Sequence, residues 1–391
     1  MDRSAMAGTE SRLHHLDAAR ALFLLLGIPF HVATTAIMIL SPEAPGFRED
    51  PVIGFSLSAI HSFRMFAFFM LSGFFAAMMR ERKGRSSWLA DRWVRIGVPL
   101  AVSVASLAVI QHHLKVGLSE LWAGGFHGLP LAFEHLWFLI VLLMFVTSYS
   151  ILPVRWKLPS DRLRRALCLE GMGGAALLGV LALWGAALAA IVYLFELQDN
   201  EAFFEHQLTI RYMQYAPGFL LGAMAWHWRV GARMFNLPLR AHLLTTAGLL
   251  AVHLWLEPMF RPALGLPMEI DPPLRLLDGA VMQPLGLLLS LLAFRLLARV
   301  ANRPSRAIAF LVEGAMAIYL FHMTWAMVTV TLLARFLPGA PLPVAQWLAA
   351  SALVLAMSTL CFLLVRRQPL LALAFCGTRL ARPAAGREAT A

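Results

Sequence analysis

Residues 60–75 read IHSFRMFAFFMLSGFF. The run is long, apolar and aromatic, yet it holds His61 and Arg64. Three positions apart, the two share one face of a helix. An imidazole and a guanidinium inside a membrane span are expensive to keep there, and mark a functional site by default. Whether the run is a span depends on the rest of the chain.

The 391 residues are 59% hydrophobic and only 14% charged, with mean hydropathy +0.69. Soluble domains carry roughly 25% charged residues, so an ordinary soluble protein is excluded. Ten segments have the length and apolarity of spans: about 17–40, 54–79, 94–113, 133–152, 167–195, 208–228, 241–258, 276–298, 307–335 and 344–365. The expectation is an all-α, polytopic membrane protein of about ten transmembrane helices in one bundle. Residues 1–366 read as a single transmembrane domain, and 367–391 as a cytoplasmic tail, part interfacial and part disordered. The first apolar run is long and no small-residue cleavage site follows it, so no separate signal peptide is expected.

The loops alternate in charge. The segments 80–95, 155–165, 229–240 and 295–306, and the tail from Arg366, are basic; 41–51, 196–206 and 257–273 are neutral or acidic. The positive-inside rule places the basic loops and both termini in the cytoplasm. The formal net charge of +11 is thereby explained as a topology signal, with no nucleic-acid partner required. Cys168, Cys361 and Cys376 have neither disulfide nor metal spacing, and the histidines show no ligand spacing on any one helix, so no metal site is expected.

Orientation assigns depths. The first span runs outward from Arg20, and His31 follows eleven residues later, on the same face and roughly 16 Å along the axis. The second runs inward, so His61 and Arg64 also belong to the outer half. The fourth opens at the outer surface with Glu134, His135 and Trp137, the eighth with Asp278. The ninth runs outward and carries Tyr319 and His322. Arg20, Arg92 and Arg95 lie near the cytoplasm. Each has an ordinary reading as well. His135 is then an interfacial histidine, Asp278 a surface residue and Trp137 a belt residue, while the arginines snorkel. Asp17 and Glu313 then serve as partners of nearby arginines. Ser72-Gly73 permits close helix approach. The ordinary reading works worst for His31, His61 and Arg64, which stand within apolar runs.

RALFLLLGIPFH (20–31) has an arginine, ten residues, then a histidine. IHSFRMFAFFMLSGFF, RWVR (92–95), HLWFLIVLL (135–143) and AIYLFHM (317–323) follow in order. Together they resemble the membrane-bound acyltransferase-3 family, strongly over residues 12–150 and again near 310–325. The wording is similar to members that succinylate osmoregulated periplasmic glucans of Gram-negative bacteria. The resemblance implies an enzyme of the bacterial inner membrane that takes an acyl group from cytoplasmic acyl-coenzyme A, here succinyl-CoA, and passes it to a periplasmic glucan hydroxyl. It implies that His31 is the catalytic histidine and that Arg20, Arg92 and Arg95 match the family's motif arginines.

Chemistry agrees with that polarity. Coenzyme A phosphates need paired cations, and arginines give bidentate, charge-assisted bonds, so Arg20, Arg92 and Arg95 are assigned to the donor. His31 acts either as general base on the acceptor hydroxyl or as an acylated intermediate. Arg64 binds the succinyl carboxylate or the developing oxyanion, and His61 orients Arg64 or donates to the acceptor. Glu134, His135, Asp278 and His322 are candidates for binding acceptor hydroxyls, and Trp137 for stacking a sugar. The alternatives are acetyl transfer to another envelope glycan and, from a different class, a transporter or flippase of an anionic or acylated intermediate. The transporter expects repeat symmetry, which is not evident.

Overall fold

The computed structural model describes residues 14–40, 50–116, 135–152, 160–198, 200–230, 237–258, 260–267, 269–336 and 344–378. All regular structure among them is helical.

Helices α1 (His14–Leu25) and α2 (Gly27–Leu40) form one long element interrupted at Leu26. Pro29 lacks the N–H that would bond the Leu25 carbonyl. The Pro29 carbonyl instead accepts a bond from the Trp347 indole at 2.9 Å. Helix α3 (Pro51–Lys83) contains the opening sequence. Asp50 caps it, accepting from the backbone of Val52 and Ile53 at 2.9 and 3.0 Å.

The basic segment 80–95, expected as a loop, is helical on both sides of one residue. Gly84, at φ 77°, makes the turn between α3 and α4 (Arg85–Arg92). Glycine adopts that conformation without strain, and the surrounding Arg, Lys and Glu are good helix formers. A π turn, Trp93–Gly97, then leads into α5 (Val98–Ala105). Pro99 deprives the Arg95 carbonyl of its usual donor four residues on. After a 40° bend comes α6 (Leu107–Val116).

The rest of the chain adds α7 (Trp137–Ile151), α8 (Asp161–Leu167), α9 (Gly171–Gln198), α10 (Asn200–His227) and α11 (Leu239–Leu256). A short 3₁₀ turn, Arg261–Leu264, precedes α12 (Pro272–Val300), α13 (Arg306–Phe336), α14 (Val344–Val365) and α15 (Pro369–Cys376). Seven of these elements are long and apolar enough to cross a membrane, and the bent α4–α6 element makes an eighth if it counts as one span. Helix α7 has only fifteen residues, and the first half of α10, NEAFFEHQLTIRYM, is polar. The chain is a multi-pass membrane protein.

Close backbone contact joins α3 to α10. A Cβ on Gly73 would overlap the Phe219 carbonyl, and one on Gly222 the Met70 carbonyl. The same relation between Gly185 and Gly279 joins α9 to α12. In a bilayer, where apolar side chains gain little by leaving lipid, such small-residue contacts supply the packing. Buried Arg80 closes the end of α7, donating to the carbonyls of Tyr149, Ser150 and Leu152 at 2.7, 3.1 and 2.6 Å. Those groups lie at the end of a helix, where, among the described residues, the only backbone donor to them is the Leu152 N–H, 3.3 Å from the Tyr149 carbonyl.

Candidate active site

Four elements carry the candidate groups in matching order along their lengths. Along α1–α2 the succession is Arg20, Leu24, His31; along α13 it is Glu313, Tyr319, His322. In α3 and α7 it is reversed: His61, Arg64, Phe68, Phe75, and His135, Phe138, Leu142. Side chains from all four line one cavity of 490 Å³. Arg20, Arg92, Arg95 and Glu313 stand at one end of it, and Phe68, Phe138 and Tyr319 line it deeper in.

The arginine end is held by weak, exchangeable ion pairs. Asp91 lies 3.0 Å from Arg95, 3.3 Å from Lys83 and 3.5 Å from Arg92, and Arg20 is 4.0 Å from Asp17. Glu313 pairs with Arg366 at 3.4 Å. Half-exposed pairs of this kind are each worth little. Asp91 was not evident as an organising residue, although its four-residue spacing to Arg95 is helical.

Beyond Tyr319 the histidines converge. The His31 and His322 rings are 5.1 Å apart and those of His322 and His135 5.8 Å. The Tyr319 ring lies 5.6 Å from each of His135 and His322, and its hydroxyl donates to the His135 carbonyl. His135 was expected at the outer surface. It is buried instead, because it packs under α13 where Tyr319 ties down the start of α7. His322 Nδ1 meets the Tyr319 carbonyl at 2.5 Å. A carbonyl only accepts, so Nδ1 carries the proton and Nε2 the lone pair.

His61 and Arg64 bracket one ring. His61 stacks on Phe30 with centroids 5.6 Å apart, and the Arg64 guanidinium lies 5.1 Å from the same ring. Arg64 also passes over Gly27, where a Cβ would collide with it. Among the described residues Arg64 has no carboxylate partner, and its Nε makes no hydrogen bond. The same is true of both ring nitrogens of His135 and of His322 Nε2. Buried polar atoms are nearly always satisfied, so this group of orphans marks a place for a polar ligand.

The other expected residues are distributed differently. Trp137 stacks on Tyr215 at 5.8 Å, and Arg211, a cation the sequence reading passed over, lies 5.3 Å from its ring. Asp278 is bonded to buried His253 at 2.8 Å, with Glu257 3.5 Å from the other ring nitrogen. The donor atoms of these three lie within 4.8 Å of one another. The four-residue spacing of His253 and Glu257 was the overlooked signal, and the third member comes from another helix. Glu134 lies outside the described residues.

These features are those of a multi-pass membrane protein with an arginine-lined cavity and a cluster of buried histidines close to it. The sequence pattern of the family described as "Acyltransferase domain" matches residues 13–366, and the chain belongs to this acyltransferase family. Among curated proteins it is similar to "Glucans biosynthesis protein C" of Salmonella typhi, 30% identical over 334 residues, which cover 80% of this chain and 81% of that protein. The proteins of that name from Shigella boydii serotype 4 (strain Sb227) and Escherichia coli O139:H28 are 27% identical over 331 residues, again 80% of this chain and 81% of theirs. No solved structure matches the chain.

Proposed function

We propose that this protein moves a succinyl group from cytoplasmic succinyl-CoA to hydroxyls of a periplasmic glucan, across the inner membrane of a Gram-negative bacterium. In this reading all ten apolar segments span, with both termini on the donor side. One observation carries the proposal: a single cavity has three arginines at one end and, at the other, Tyr319 backed by three histidines. The glucan acceptor is supported by the similarity to glucans biosynthesis proteins.

Arg20, Arg92 and Arg95 bind the coenzyme A phosphates, displacing Asp17 and Asp91. The pantetheine arm runs down the cavity and brings the thioester to His31. The acceptor hydroxyl attacks the thioester carbonyl, its proton passes to imidazole, the C–S bond breaks, and the thiolate leaves and takes up the proton. His31 is the base. The lone pair on His322 Nε2 holds the His31 ring or receives its proton. Arg64 has no carboxylate partner among the described residues and an unbonded Nε, and the distal carboxylate of a succinyl group satisfies it. His61 restrains Phe30 and through it Arg64. Trp137, His135 and the Asp278–His253–Glu257 group lie toward the acceptor.

The test is transfer by purified wild type and His31→Ala with labelled succinyl-CoA and neutral periplasmic glucan. Labelled, newly anionic glucan from wild type, with a loss of about 10²–10⁴-fold in the variant, is expected. Transfer from acetyl-CoA alone, to another glycan, would replace the succinyl assignment. Equal product from both proteins would remove His31 from the chemistry.

A further inference from the structure

The donor cavity stops short of the histidines. Phe68, Phe138 and Tyr319 line it, whereas His31, Arg64, His135 and His322 do not. The rings of Phe68 and Phe138 meet edge to face at 4.7 Å, and those of Phe138 and Tyr319 at 5.4 Å. Phe68 is one helical turn from Arg64. Tyr319 and Phe138 are each three residues from a cluster histidine. The three rings thus occupy the level between the cavity and the unpaired polar atoms.

One ring is anchored. The backbone N–H of Leu139 bonds the Leu136 carbonyl at 3.0 Å, so the His135 carbonyl precedes the ladder of α7. The Tyr319 hydroxyl donates to it. Phe68 and Phe138 carry no polar atom for such a tether and are held by ring packing alone.

We propose that Phe68, Phe138 and Tyr319 form an aromatic collar that seals the donor cavity from the histidine site and admits only a slender acyl thioester. The donor half of this inference rests on the function proposed above. A site open to water on two sides of a membrane would let protons through. It would also let water attack the thioester carbonyl, breaking the C–S bond to give free acid and thiol in place of transfer. Closed rings prevent both. They also restrict the donor to acyl groups narrow enough to pass between Phe138 and the fixed Tyr319. Tyr319 is a positioning residue here, acting through the ring it holds in place.

The experiment uses the full chain in lipid vesicles, as wild type, Phe138→Ala, Tyr319→Ala and the conservative Tyr319→Phe, each checked for a wild-type melting transition in detergent. Proton leak is read with a trapped pH dye and no substrate present. Acyl-CoA hydrolysis without acceptor is read separately, with acetyl, succinyl and the wider benzoyl donors. The two alanine variants should leak protons several-fold faster than wild type, raise hydrolysis relative to transfer, and accept the benzoyl donor. Tyr319→Phe keeps the ring and loses the tether, and should fall between. Wild-type proton leak in both folded alanine variants overturns the collar. Wild type that transfers from no acyl-CoA overturns the functional reading instead, and the leak measurement still decides whether the collar exists.

Discussion

The imidazoles of His31 and His322 lie 5.1 Å apart, although one belongs to the first membrane segment and the other to α13. With Nδ1 of His322 committed to the Tyr319 carbonyl at 2.5 Å, the pair has one nitrogen defined as a proton acceptor. His322→Ala should therefore reduce the maximal transfer rate by about 10²-fold, with little change in donor KM. His322→Gln should recover part of that loss only if holding the His31 ring is the main role. Steady-state kinetics of both variants with succinyl-CoA checks this.

Arg64 is positioned by Phe30, at 5.1 Å, and by the missing side chain of Gly27. Lysine keeps the charge but loses the planar fork. Arg64→Lys should lower the preference for succinyl over acetyl donor by about tenfold, the order of one charge-assisted hydrogen bond. An unchanged ratio in a donor competition assay would remove Arg64 from acyl recognition.

Arg92 and Arg95 share Asp91, at 3.5 and 3.0 Å. Arg92→Ala and Arg95→Ala should each raise the KM for acyl-CoA by about tenfold, and leave acceptor KM unchanged. Truncated donors without the 3′-phosphate should show a smaller penalty if that phosphate is the group bound. Asp91→Asn should do the opposite and weaken discrimination among anions at the mouth, read by inhibition with inorganic phosphate.

Arg80 serves the fold. Its three bonds to the last carbonyls of α7 are buried and charge-assisted. Arg80→Ala should cost on the order of 3 kcal/mol, seen as a lower melting temperature in detergent, with activity per folded molecule preserved. Gly222→Ala, which forces a methyl against the Met70 carbonyl, should cost about 1–3 kcal/mol in the same measurement.

Much of this was legible without coordinates. The helical, multi-pass character followed from hydrocarbon length alone, since in a bilayer the backbone has no other partner than its own helix. Charge-set orientation gave His31, His61 and Arg64 a common depth, and His61 and Arg64 do meet at the ring of Phe30, next to His31. Ser72-Gly73 indicated close helix approach, and Gly73 does lie against the Phe219 carbonyl. The segment 80–95 was misjudged because charge density reads as loop, while a single glycine suffices to turn a helix. His135 and Asp278 were placed at one depth, but depth does not say which side of the bundle a residue faces. Asp278 belongs with His253, and His135 lies beneath Tyr319.

Local chemistry is therefore enough to establish that the apolar segments are helices and which family they resemble. These depend on solvation and on spacing along one strand of chain. Which groups meet does not. The contact of His31 with His322, the tie of Tyr319 to His135, and the cavity shared by Arg20 and Arg92 each join residues far apart in sequence. Helix packing, which includes close contacts such as Gly222 on Met70, decides which polar groups face one another.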